Sequence, residues 1–223
     1  MLVWREQYRA HADHRDRSTD DALQRDWRFT ITYAGRGHRR IDRWESPLGR
    51  WTAESDGPAA TYSWSPPRIL RWWNGARGAP GPSAPVVVLL DADVKVLSDL
   101  AAEGPLARFA ARQRIARAFK KHFGEALPLG GRTLQRVDVA GAPFDRIVVI
   151  SDQAEEAARR LTPPLVAAIR QVWSVWADIG VTKPWIGLCG DRVVIACAQQ
   201  RPADAIQVAA LVEIGSALAA ARG

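Results

Sequence analysis

Apolar and polar residues alternate strictly from Trp27. Trp27, Phe29, Ile31 and Tyr33 fall on one face, and Arg28, Thr30 and Thr32 on the other, which is the period of a half-buried strand. Gly35-Arg36-Gly37 supplies a turn, and further strands are predicted over 38–45, 50–55 and 61–65, punctuated by Ser46-Pro47-Leu48-Gly49 and Asp56-Gly57-Pro58. Residues 1–26 mix Arg, Asp and His with few large apolar groups. They read as a polar arm or exposed helix, pinned by Trp4 and Tyr8.

Past the meander the pattern changes. Gly75, Gly78, Pro80, Gly81 and Pro82 make 68–85 read as a long loop, and the unbroken run Val86-Val87-Val88-Leu89-Leu90 as a strand buried on both faces. Gly104-Pro105 opens a helix that Gly124 closes, with Phe109, Ala116 and Phe123 seven apart on one side and Arg114, Arg117 and Lys121 on another. Strands near 132–139 and 144–150 precede two helices. Asp152, with Glu155 three residues on, is expected to cap the first, and Thr162-Pro163 to start the second, which carries Leu165, Ile169, Val172, Trp173 and Trp176 at helical spacing. A hairpin over 185–198 turns at Gly190-Asp191, and a last, largely apolar helix begins near Pro202 or Asp204 and docks on the sheet through Ile206, Val208, Leu211, Val212, Ile214 and Leu218.

These elements predict an α+β fold: an N-terminal antiparallel β-meander followed by helices packed on a second antiparallel sheet. One unit is expected over 27–223, with 27–96 as the meander half and 105–223 as the helix and sheet half.

The segment Ser151-Asp152, Glu156-Ala157 and Leu161-Thr162-Pro163, entered from the strand Ile147-Val148-Val149-Ile150, together with the hairpin Gly190-Asp191-Arg192-Val193-Val194-Ile195-Ala196, resembles a bacterial family of unknown function. The resemblance covers about the last third of the chain and implies no activity. Members of that family usually carry a pair of transmembrane helices ahead of the shared domain. This chain has no run approaching the ~18 to 20 apolar residues that cross a bilayer.

Composition narrows function further. Apolar residues make up 47% and charged residues 25%, ordinary for a folded chain. Met1-Leu2-Val3-Trp4-Arg5-Glu6-Gln7 lacks the apolar core of a signal peptide, so the expected compartment is the cytoplasm, with the inner-membrane surface as a peripheral site. Cys189 and Cys197 sit on opposite strands of the hairpin out of bridging register, and are expected as buried thiols. The net charge is +7, with a pI of about 10.1. Such a balance suits a polyanion, although an Arg- and Ala-rich composition produces it without selection for binding.

No catalytic triad, metal cluster or phosphate loop stands out, and neither a metal nor a cofactor is expected. His11 and His14 share a face but lack a third ligand. The lead expectation is therefore a non-enzymatic interaction or scaffold module with a protein partner, able to form an oligomer. The competing expectation is polyanion binding, to nucleic acid or an anionic membrane surface. It would use Arg68, Arg71, Trp72 and Arg77 of a basic-aromatic loop and Arg114, Arg117, Lys120 and Lys121 of the helix. Set against it is a packing role, with Leu70, Trp72 and Trp73 covering the end of the meander, and Trp44, Trp51 and Trp64 as cross-strand neighbours. A third expectation is an enzyme using Asp91 and Asp93, which end a buried strand.

Overall fold

The computed structural model describes residues 17–36, 38–59, 66–75, 84–90, 92, 94–127, 132–138, 147–176, 182–199 and 202–222. In chain order the strands are β1 (Arg28–Ala34), β2 (Arg39–Glu45), β3 (Trp51–Pro58), β4 (Arg68–Asn74), β5 (Val86–Leu90), β6 (Gln135–Val137), β7 (Ile147–Ser151), β8 (Thr182–Cys189) and β9 (Arg192–Gln199). The helices are α1 (residues 17–24), α2 (Val94–Leu100), α3 (Pro105–Phe123), α4 (Ala154–Arg160), α5 (Pro163–Trp176) and α6 (Ala205–Ala220). No described helix is long and apolar enough to cross a membrane.

The α+β fold with its antiparallel meander is as the sequence leads one to expect, and its strands are joined more closely. All nine lie in one antiparallel sheet of order β1-β2-β3-β4-β9-β8-β5-β7-β6. The later strands extend the meander because β4 pairs with β9, Leu70 opposite Cys197 and Trp72 opposite Ile195. This corrects the reading of 68–85 as a loop from its first residue. Arg68–Asn74 is a central strand, buried along nearly its whole length, and the Gly- and Pro-rich punctuation begins only at Gly75. Period-two alternation is invisible in Leu70-Arg71-Trp72-Trp73 because both faces of the strand are covered. The strand expected over 61–65, with Trp64, lies outside the described residues.

Helices cover both faces, and strand alternation divides the core in two. On one face Trp44, Ala53, Leu70, Trp72, Ile195 and Cys197 pack against α6 through Val208, Leu211, Ile214 and Leu218, and against α5 through Leu165, Ile169 and Val172. On the other, Ile69, Trp73, Val87, Val148, Val194 and Ala196 pack against Ile115, Phe119 and Phe123 of α3. α6 begins at one of the two expected positions, and Asp204 caps it, accepting from the Gln207 N–H at 2.8 Å, while the Gln207 side chain accepts from the Asp204 N–H. Gly215 lets α6 approach the sheet, since a Cβ there would lie 2.3 Å from the Trp72 ring.

Three expectations about helices are corrected. The buried line of α3 runs Ala111, Ile115, Phe119, Phe123 at steps of four, so of the residues expected on it at steps of seven only Phe123 is buried, while Phe109 is 64% exposed and Ala116 is exposed. Asp152 does not cap α4. It pairs with Arg132 at 2.7 Å, while the Ser151 hydroxyl accepts from the Gln153 N–H and donates to the Pro85 carbonyl. Ile206 of α6 is exposed while its neighbours Ala205 and Val208 are buried. The side chains of Trp173 and Trp176 fall outside what is described. Cys189 and Cys197 are buried and not joined in a disulfide, with Cys189 opposite Arg192 in the hairpin register.

Candidate anion-binding groove

The charges of the meander are sorted by strand alternation into two separate groups. Arg40 and Asp42 of β2, Ser55 of β3 and Arg68 of β4 point to the α6 side and are almost fully buried. Arg40 donates to Asp42 at 2.6 Å, and Arg68 approaches Asp42 at 3.5 Å. Arg68 also donates to the Ser55 hydroxyl and to the carbonyls of Pro58, Arg40 and Ser55. Burial lowers its pKa from the usual guanidinium value, against the pull of Asp42. Gly57, opposite Arg40 in the register, leaves room for the Arg68 stem, whose Cγ would lie 2.4 Å from a Cβ there. These residues hold three strands together and face away from solvent.

The alternate residues of the same strands face α3 and line a groove of about 1330 Å³. Arg39 and Arg43 of β2, Glu54 and Asp56 of β3, and Arg71 of β4 form its charged floor, and the C-terminal end of α3 its wall. Cross-strand register sets the pairs: Arg43 is opposite Glu54, and Glu54 opposite Arg71. Arg43 Nε donates to Glu54 at 2.8 Å, Arg39 forks onto Asp56, and Arg71 Nη1 reaches Asp56 at 3.1 Å. Burial alone would raise the Asp56 carboxyl. The hydrogen bond from Arg39 and the charge of Arg71 outweigh it and hold the group below its ordinary range.

Arg71 joins floor to wall. Its Nε and Nη2 donate to the carbonyls of His122 and Lys121, the open acceptors at the end of α3. His122 stacks on Trp185 with centroids 4.0 Å apart and planes 3° apart, its Nδ1 2.9 Å from the Ala118 carbonyl. Burial pushes its pKa down to about 4, with Lys121 and Arg71 adding to the shift, so it is uncharged at neutral pH.

The wall carries the charge that the floor has neutralised. The α3 sequence holds six Arg and Lys residues and no carboxylate. Arg117, Lys120 and Lys121 line the groove, are exposed, and have no ion-pair partner among the described residues. With Arg192 of β9, seven cationic side chains face three carboxylates, Glu54, Asp56 and Glu125. Two lysines in the last turn also complement the negative end of the helix dipole.

The residues singled out from sequence are thus divided. Arg71, Arg117, Lys120 and Lys121 come together in the groove. Arg68 and Trp72 are 1% exposed on the opposite face, a correction that follows from their even positions on a strand covered on both sides. Arg114 points away and pairs with Asp99 of α2 at 2.9 Å. Arg77, Asp91, Asp93, His11 and His14 lie outside the described residues. Sequence reasoning missed Arg39, Arg43, Glu54, Asp56 and Arg192, although Arg39-x-Ile41-x-Arg43 beside Glu54-x-Asp56 already placed opposite charges on one face of adjacent strands. Among the described residues no group of His, Cys, Asp and Glu is placed to hold a metal. Burial raises both thiols, that of Cys197 to about 12, which leaves them protonated at neutral pH. No family model, curated protein or solved structure matches the chain, so the groove is read from its own geometry.

Proposed function

We propose that the protein is a non-enzymatic binding module that holds an anionic partner against the wall of this groove. The observation that supports it is the state of Arg117, Lys120 and Lys121, three exposed cations on one turn-and-a-half of helix that form no ion pair among the described residues. The floor arginines, by contrast, are committed to Glu54 and Asp56. Desolvating a paired arginine gains little, whereas an unpaired cluster attracts anionic groups from solution.

The test is titration of the purified chain with a labelled oligonucleotide and, separately, with phosphatidylglycerol vesicles, at low and high salt. At least one should bind, with affinity falling steeply as salt rises, and binding should drop in the triple variant Arg117→Gln, Lys120→Gln, Lys121→Gln. Salt-insensitive binding, or binding unchanged in the variant, would contradict the reading.

A further inference from the structure

We propose that the outward face of α3 seats the protein on an anionic bilayer surface, with Leu106 and Phe109 entering the lipid interface and Arg117, Lys120 and Lys121 on headgroup phosphates. This rests on the anionic-partner reading and names the partner. Positions 106, 109, 113, 117 and 120 succeed one another at steps of three and four, so Leu106, Phe109, Gln113, Arg117 and Lys120 share one helical face. The buried stripe Ala111, Ile115, Phe119 and Phe123 occupies the other side. The outward face is therefore apolar at its N-terminal end and cationic at its C-terminal end.

The apolar end decides between anionic partners. Leu106 is 84% exposed and Phe109 64%, two large side chains one turn apart. The phosphates of a nucleic acid would engage the cations and leave both side chains in water, whereas a bilayer interface offers phosphate and hydrocarbon within the reach of a single helix. The absence of any Asp or Glu between Pro105 and Phe123 removes repulsion from an acidic surface. The carboxylates that flank the helix in sequence, Glu103 and Glu125, lie beyond its ends, Asp99 is held by Arg114, and Glu54 and Asp56 of the floor are paired with Arg43 and Arg39. At ~1.5 Å per residue the helix is about as long as a bilayer core is thick, but its buried face is committed to the sheet, so it lies along the surface. Two apolar side chains give only marginal insertion on their own, which makes the docking dependent on anionic lipid and reversible by salt.

The experiment is flotation of the full chain with phosphatidylglycerol or phosphatidylcholine vesicles, beside oligonucleotide binding, for wild type and the double variant Leu106→Ser, Phe109→Ser. Both positions are exposed, so the variant keeps the fold and every cation. Wild type should float with phosphatidylglycerol only, and the variant should bind these vesicles about tenfold more weakly or worse. A Phe109→Cys variant carrying an environment-sensitive dye, labelled selectively because Cys189 and Cys197 are buried, should shift its emission to the blue on those vesicles. Undiminished flotation of the double variant, or unshifted emission while the chain floats, overturns the inference. Oligonucleotide binding without vesicle binding overturns it and leaves the anionic-partner reading standing, and binding to neither overturns both.

Discussion

Replacing Arg71 by Met should cost roughly 3 to 5 kcal/mol, because one buried guanidinium serves three acceptors on two elements. It donates to the carbonyls of Lys121 and His122 and to Asp56, and lies 3.9 Å from Glu54. A hydrogen bond to a charged group contributes about 1.5 to 3 kcal/mol, and a carbonyl left dry without a donor costs ~1 to 3 kcal/mol. Asp56 retains Arg39, so the carboxylate is not orphaned, and the larger part of the loss falls on the frayed end of α3. The total is a fifth or more of the ~5 to 15 kcal/mol by which domains are stable. Asp56 has a depressed folded pKa, so its contribution is present above its unfolded value and lost as pH falls through the folded one. The variant should therefore unfold at lower urea at neutral pH and show a smaller further loss below about pH 4 than wild type. A shift under ~1 kcal/mol at neutral pH would refute the claim that Arg71 ties floor to wall.

The acid response should have a second part from His122, whose folded pKa of about 4 lies below the ordinary 6.5. As pH falls the unfolded chain takes up the proton first, so stability should decline between those two values and level off below, by up to roughly 3 kcal/mol; His122→Phe should abolish that decline, and an unchanged pH profile would refute it. Gly215→Ala should destabilise by ~1 to 3 kcal/mol through its clash with Trp72, exceeding the ~1 kcal/mol gained in helix propensity; adding Trp72→Phe should recover part of the loss, and a raised melting temperature for Gly215→Ala alone would contradict the packing. Deleting 202–223 removes the burial of Val208, Leu211, Ile214 and Leu218 against the sheet and should give an aggregating chain; a truncated chain that stays monomeric with cooperative unfolding would overturn it.

What the sequence revealed depended on whether an element has one covered face or two. β2 alternates buried and partly buried residues, and α6 is a long apolar run that follows Pro202 and Asp204, so both were legible. β4 was hidden, since Arg68 and Arg71 look like surface residues until cross-strand partners are known. Those partners come from β2 and β3, 10 to 28 residues earlier in the chain, and from the end of α3, 50 and 51 residues later. Local periodicity carries no trace of such pairings. Arg117, Lys120 and Lys121 were found on their helix, and the alternation of Arg39, Arg43, Glu54 and Asp56 was visible too, but not that these strands form the floor facing that helix.

The central claim, that an anionic partner lies against the C-terminal half of α3, is tested most directly by lysine footprinting. Lysine occurs at positions 95, 120, 121 and 183, so each is readily distinguished by peptide mass spectrometry after acetylation. With saturating phosphatidylglycerol vesicles, Lys120 and Lys121 should become unreactive and recover on raising salt. Unchanged reactivity at both, while the chain is demonstrably bound, would place the partner elsewhere and contradict the account.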